Sequence, residues 1–293
     1  MSSLPKAPKP IVSPAVYQNP YMAPNDFSEI HFNAYQTDTC TVKGPATSPN
    51  RSIQQAFINP PDGIAATIAF DSTGRIITIR VTSTPCDPGA TELLLIDPKS
   101  LEVLAETKLP SRGKSHGLSF AGGYFYLDQQ ERVVCVTADQ SIQIYRVISI
   151  SDEAGVFPEF ELVQTIELSG VLSADEVLNS VLPDSQGNLW FICQSGKVGY
   201  VSQSTGTVSH IYDTNEPISK SFASDEDLGV YIVTDVALYR FQIGSAGPEV
   251  IWRMTYDVGS RKKPGQNQQG CGTTPTCFND ATSNTFIAIT GRL

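Results

Sequence analysis

Three places in the 293-residue sequence gather side chains that could do chemistry. The first is Gly113-Lys-Ser-His-Gly117, where His116 heads a short apolar stretch. An imidazole there can serve as base, proton donor or metal ligand near neutral pH. The second is Asp175-Glu176, again just before an apolar stretch. Paired carboxylates divide acid and base roles when their surroundings split their pKa values, and they can hold a divalent cation. The third, Asp225-Glu226-Asp227, lies in a turn between two strand patterns and reads as a solvated charge run. His31 and His210 are remote from His116, and the three histidines have no metal-ligand spacing. The Gly-x-Ser-x-Gly string at 113–117 lacks the strand-to-helix turn that exposes a nucleophilic serine, so it is read as accidental. Phosphate-binding glycine loops, His-Glu-x-x-His and EF-hand loops are absent. These residues define no metal site and identify no cofactor.

The elements that must position them are strands. Asp71-Ser-Thr-Gly74 and Asp184-Ser-Gln-Gly187 each precede an apolar run, Arg75–Arg80 and Asn188–Cys193. Glycine permits the positive φ at which a hairpin reverses. Two such turns with one unit between them imply a repeat of about 56 residues, in the range of propeller blades with loop insertions. Four strand patterns follow in the first unit: Ile64–Phe70, Arg75–Val81, Thr91–Asp97 and Leu101–Leu109. The intervening unit offers His116–Phe120, Tyr124–Leu127, Arg132–Thr137, Ser141–Ser149 and Phe160–Leu168. The third runs Val177–Leu182, Asn188–Cys193, Lys197–Ser202 and Thr207–Tyr212. The fourth runs Ser219–Ala223, Gly229–Thr234, Ala237–Ile243 and Glu249–Thr255. A fifth begins at Thr273–Phe278 and Phe286–Thr290. Helical periodicity is limited to a weak stretch at Ala174–Asn179. Short strands joined by Gly, Asp, Asn and Ser turns mean a propeller or a sandwich, and the four-strand unit favours the propeller.

Two hairpins carry a resemblance. Leu95-Ile-Asp-Pro-Lys-Ser-Leu-Glu-Val103 and Gly196-Lys-Val-Gly-Tyr-Val-Ser-Gln-Ser-Thr-Gly-Thr-Val208 are similar to the third-to-fourth strand hairpin of quinoprotein-like and YVTN-like propeller repeats. The second follows the family pattern closely, and the first has Leu101 where the family has glycine. The resemblance implies an all-β propeller of four-stranded blades over about residues 62–290, incomplete at about four and a half blades. Residues 1–61 are then a Pro-rich, partly extended segment, with Phe27–Phe32 a candidate donor strand, and 62–293 the propeller. The tryptophans that dock a quinone in alcohol dehydrogenases of that group are not evident here.

In such a fold the innermost strands line the channel. His116, Asp175 and Glu176, each placed at the head of one, are therefore expected on a shared rim as the candidate catalytic groups. The Arg261-Lys-Lys263 run sits in a polar loop leading to Cys271. Cys271 and Cys277, six residues apart with Gly272 and Pro275 between, are expected to close a small disulfide loop. Cys135 and Cys193 lie in apolar strands and read as buried thiols. Cys40 and Cys86 both fall in Pro-, Gly- and Thr-rich loops.

Composition bounds the function. Charged residues are 17% of the chain, against about 25% in average soluble proteins. The formal charge of −10 repels phosphate backbones and argues against nucleic-acid binding. No apolar run approaches the ~20 residues that span a bilayer. Acidic charge, few lysines and expected disulfides favour an exported protein. The expected function is a binding or interaction scaffold whose ligand is a small molecule or a protein. The alternative is a propeller enzyme, an oxidoreductase or lyase, with its site at the channel mouth. Ligand and oligomeric state are not legible in the sequence.

Overall fold

The computed structural model describes residues 16–41, 55–56, 63–83, 88–111, 123–152, 155–259, 270–280, 282 and 284–291. Among these there is no helix, and the stretch at 174–177 is a turn leading into a strand. The first sheet holds β1 (Gly63–Phe70), β2 (Ile76–Ser83), β3 (Pro88–Ile96) and β4 (Val103–Leu109). The second holds β5 (Phe125–Leu127), β6 (Val133–Val136), β7 (Ser141–Asp152) and β8 (Gly155–Glu167). The third holds β9 (Leu178–Pro183), β10 (Leu189–Cys193), β11 (Lys197–Val201) and β12 (Tyr212–Asp213). The fourth holds β13 (Ala223–Ser224), β14 (Val230–Val233), β15 (Ala237–Ile243) and β16 (Pro248–Thr255). A two-stranded sheet follows, β17 (Thr276–Asn279) and β18 (Thr285–Ala288).

Each four-stranded sheet is an antiparallel meander in chain order. The first strands are neighbours in succession: β1 touches β5, β5 touches β9, β9 touches β13, and β13 touches β17. Sheets that meet along their first strands fan out from a common axis, which is a β-propeller. Apolar layers fill the wedges between sheets. Ile77, Leu93 and Leu95 of the first sheet pack on Phe125, Val133 and Cys135 of the second. Trp190, Phe191, Val230 and Phe241 belong to the cluster joining the second, third and fourth. Strands β6, β9 and β14 are buried at every residue, because neighbouring sheets cover both their faces. β6 and β14 therefore read as apolar runs rather than as alternation, while β9 buries Asn179 and Ser180 among its apolar residues.

The second sheet departs from expectation in one way that matters. Among the described residues its innermost strand is β5, in the place expected for a strand beginning at His116. His116 itself lies outside the described residues, as do Cys86 and the Arg261-Lys-Lys263 run.

The first turn of every sheet is built around one aspartate. Asp71, Asp128, Asp184, Asp225 and Asp280 each donate their backbone N–H to the carbonyl four residues on, at 2.9–3.2 Å. In each case Oδ1 accepts the backbone N–H groups of residues i+2 and i+4. Oδ2 takes a second ring of donors. These are Arg75 at 2.7 Å, Arg132 at 2.6 Å and Asn284 at 3.0 Å. On Asp184 they are Asn188 and the Trp190 indole, each at 2.9 Å, and on Asp225 the Tyr231 hydroxyl at 2.6 Å. Residue i+3 is left-handed where described: Gly74, Glu131, Gly187 and Leu228 have φ of 82°, 57°, 84° and 64°. Asp225, read from sequence as part of a solvated run, is thus a buried turn anchor, 3% exposed. Burial raises its pKa despite the hydrogen bonds from Tyr231 and Gly229. At Asp280 the Asn284 and Thr282 bonds hold the carboxyl far below the ordinary range.

The two hairpins that resemble known repeats share one turn. Leu101 N donates to Asp97 O at 2.9 Å, and Gly206 N to Ser202 O at 2.8 Å. Leu101 adopts φ 62°, close to the 68° of Gly206, so it takes the glycine conformation without being glycine.

Cys271 and Cys277 are free thiols, which corrects the expected disulfide. The chain between them enters β17 instead of folding back. Cys277 packs on Tyr35, Ala223 and Tyr231, and Cys271 packs on Val233 and Leu238 in a separate cluster. Cys135 and Cys193 are buried free thiols as read from the sequence, and burial pushes Cys135 up to about 12.

Asp184→Ala strands four donors in a fully buried site. A stranded buried donor costs about 1–3 kcal/mol, so chemical denaturation should report a loss of at least about 3 kcal/mol, and a smaller loss for the exposed Asp280→Ala. Gly74→Ala meets only open space and left-handed strain, whereas the Cβ of Gly187→Ala also collides with the Tyr21 ring. Gly187→Ala should therefore lower the thermal midpoint more than Gly74→Ala.

Candidate functional site

The axis has two ends. At the end where inner strands begin, Glu176 precedes β9. Its carboxylate pairs with Lys197 Nζ and accepts Ser195 Oγ at 2.6 Å. Its backbone carbonyl accepts Gln140 Nε2 at 3.1 Å, and the same amide reaches Ser173 O at 2.6 Å. The Glu176 side chain is 6% exposed. It therefore fastens the crossing from the second sheet to the third onto the β10–β11 turn. The same charge raises the Lys197 pKa, and it adds to the burial that pushes the Cys193 thiol up. Asp175 faces outward, and its bond with Ser173 holds its carboxyl below the usual range.

Glu216, before β13, repeats the arrangement and was not legible as a site residue. It pairs with Arg253 and accepts the Thr234 hydroxyl. Burial opposes its ionisation, but those donors prevail and its pKa is lowered. Arg253 also donates to Tyr239 Oη at 2.8 Å and lies 5.5 Å from that ring centroid. Two successive sheets thus carry an acidic residue at the strand head, each with its own cation. Glu176 lies two residues before β9 and Glu216 seven before β13, with Ser219, Lys220 and Ser221 between, so no shared local spacing marks the two. The cations Lys197 and Arg253 come from strands two and three positions further on, and no local pattern predicts them.

At the opposite end, residues 19–36 lie across the inner strands. Asn19 Nδ2 donates to Pro183 O at 3.0 Å, and Ala23 N to Leu127 O at 2.8 Å. Phe70 N donates to Phe27 O at 3.0 Å, and Leu127 N to Ser28 O at 2.7 Å. Ser224 N donates to Ala34 O at 2.9 Å, and Cys277 N to Tyr35 O at 2.8 Å. Each of the five inner strands is bonded to this segment. It adds only the isolated bridges Met22↔Asp128 and Glu29↔Tyr126 to them. Ligand access from this end is blocked by Tyr35, Glu29 and Gln36, all 3% exposed or less.

Open clefts lie away from the axis. A cleft of about 740 Å³ on the third sheet is lined by Tyr200, Ser204, Thr207, His210 and Ile243, among others. One of about 310 Å³ lies between the second and third sheets, with Tyr21, Gln164 and Gln203 in its walls. Among the described residues, no group of three or more His, Cys, Asp or Glu is arranged to hold a metal ion.

No protein-family model matches the chain. An uncharacterized protein of Archaeoglobus fulgidus is 30% identical over 183 residues, 60% of this chain and 34% of that protein. The chain thus spans about a third of that relative's length. Among solved structures, BamB from Moraxella catarrhalis is similar with a TM-score of 0.37 and 11% identity, over 64% of this chain and 48% of that one. The WD40 domain of Toxoplasma gondii coronin gives 0.43 and 14%, over 73% and 53%. The propeller assignment rests on strand order and on the succession of inner strands.

Glu176→Gln should leave Lys197 with a weakened partner and cost about 1–3 kcal/mol, as hydrogen bonds to charged groups do. Asp175→Asn should leave the thermal midpoint nearly unchanged. Equal midpoints for the two variants would contradict the structural role of Glu176.

Proposed function

We propose that the protein is a non-catalytic β-propeller binding scaffold for an uncharged polar ligand. One observation carries the reading. In a chain of formal charge −10, the cleft of about 740 Å³ on the third sheet has no Asp, Glu, Lys or Arg in its lining. It offers hydroxyls from Ser204, Thr207 and Tyr200 and an exposed His210, beside apolar Val208 and Ile243. Such a wall suits a ligand recognised by neutral hydrogen bonds and apolar contact, and it would exclude ions by giving them no counter-charge. The carboxylates at the strand heads support the same reading from the other side. Glu176 and Glu216 each hold a cation and a hydroxyl of the fold itself, so both carboxylates are engaged in structural contacts.

The test is binding of neutral oligosaccharides to the immobilised protein, measured for the wild type, Ser204→Arg and Glu176→Gln. Ser204→Arg places a charge and bulk in the cleft and should weaken binding at least about tenfold, whereas Glu176→Gln should bind as the wild type does. Binding that is lost with Glu176→Gln and retained with Ser204→Arg would move the site to the axis and favour the enzyme.

A further inference from the structure

The segment at the closed end crosses the fan in a definite order. Asn19 meets β9, Met22 and Ala23 meet the β5 end, and Asn25 and Phe27 meet β1. The chain then doubles back over β5 at Ser28 and Glu29 before reaching β13 at Ala34 and β17 at Tyr35. Since β9 stands between β5 and β13, the span from Glu29 to Asn33 crosses the axis itself. The crossing and the residues after it are held in a strained shape: Phe32, Gln36 and Asp38 have φ of 79°, 59° and 53°. Left-handed backbone at a non-glycine residue persists only where the surroundings impose it. The bonds to five inner strands are what impose it here.

Two buried side chains of residues 16–41 lack a conventional account. Glu29 is 1% exposed, and its Oε1 accepts His31 N at 2.8 Å. Gln36 is also 1% exposed; its Nε2 donates to Asn33 O at 3.1 Å, while its buried Oε1 has no partner. The Gln36 side chain favours the ionised form of the Glu29 carboxyl, against the effect of burial. An ionised carboxyl is only an acceptor, whereas a neutral one has an O–H to donate. A neutral Glu29 would leave no buried charge on the axis.

We propose that residues 16–41 are a proton-locked plug: the neutral Glu29 carboxyl holds the segment across the axis, and loss of its proton loosens the segment from the inner strands. The groups facing Glu29 agree. From its own segment these are Asp38 and His31, the latter 3.1 Å from Asp38 through Nδ1. From β5 and the residue before it they are Tyr126, through the bridge, and Tyr124. Burial, the largest influence, raises Glu29 from 4.5 to about 8, and the negative charge of Asp38 adds to the rise. The His31 amide and Gln36 pull the other way without prevailing. The folded carboxyl keeps its proton to higher pH than the unfolded one. The stability it lends is therefore complete below about 4.5 and is lost as pH rises toward about 8.

Hydrogen exchange of the whole chain between pH 6 and 9, expressed as protection factors corrected for intrinsic rates, reads the plug directly. Protection of amides in 16–41 should fall at least about tenfold in the wild type over that range, and stay level in Glu29→Gln, which keeps the neutral shape. The inner-strand amides of β10 and β14 should stay protected in both. Asp38→Asn removes the His31 contact and the negative neighbour that helps to raise Glu29, so its loss of protection should persist and move to lower pH. The direction of that shift is set by the plug's release, and a Glu29 carboxyl titration by carbon-13 NMR sets the protonation itself, without any variant that must fold. A Glu29 carboxyl that titrates near 4.5 in the folded protein overturns the proposal. So does loss of protection in Glu29→Gln over the same pH range as in the wild type.

Discussion

One carboxylate per sheet organises this fold. The first turn of a propeller blade is where an inner strand, crowded against the axis, must reverse within four residues. Its amides need acceptors, and where the turn is buried, as at Asp184 and Asp225, an N–H without a partner is costly. Asp71, Asp128, Asp184, Asp225 and Asp280 meet that demand alike, with one oxygen accepting two amides of the turn. The second oxygen then fixes whatever donor its sheet supplies. Arginine serves in the first two, a side-chain amide and an indole in the third, and a phenol in the fourth. In the fourth sheet, Gly229 leaves the space in which Arg240 approaches Asp225. The arginine that the first two sheets place within the turn comes there from β15.

The N-terminal segment depends on those turns. Because the turns bring five inner strands to one end at a common level, a single stretch of backbone can bond to all of them. The Tyr21 ring lies where a side chain at Gly187 would stand, so the turn glycine serves both the reversal and the close approach. Tyr35 carries the contact into the fourth sheet, through Glu226 and through packing on Ala223, Tyr231 and Cys277. The acidic balance of the chain is explained in the same terms. Many of its carboxylates are acceptors for backbone and side-chain donors rather than a charged coat, and Glu176 and Glu216 extend this use to the other end of the axis.

The sequence by itself determined the strands and their grouping. Apolar runs bounded by polar turns are a local property, and the runs at 188–193, 229–234 and 237–243 fall within a residue or so of β10, β14 and β15. It also contained the turn device, but only two of five copies were legible, because the reading followed glycine at the fourth place. Glu131 and Leu228 take the same left-handed backbone without glycine, so aspartate with an apolar strand to follow is the more faithful mark. Tertiary structure alone decided the rest. Whether Asp225 is solvated, whether Cys271 meets Cys277, which cation holds Glu176 and where residues 16–41 run are all settled by groups far away in sequence. Local pattern records what each stretch of backbone prefers; burial and partners arise only when separate sheets close on one another, and those are what set the chemistry of a carboxylate or a thiol.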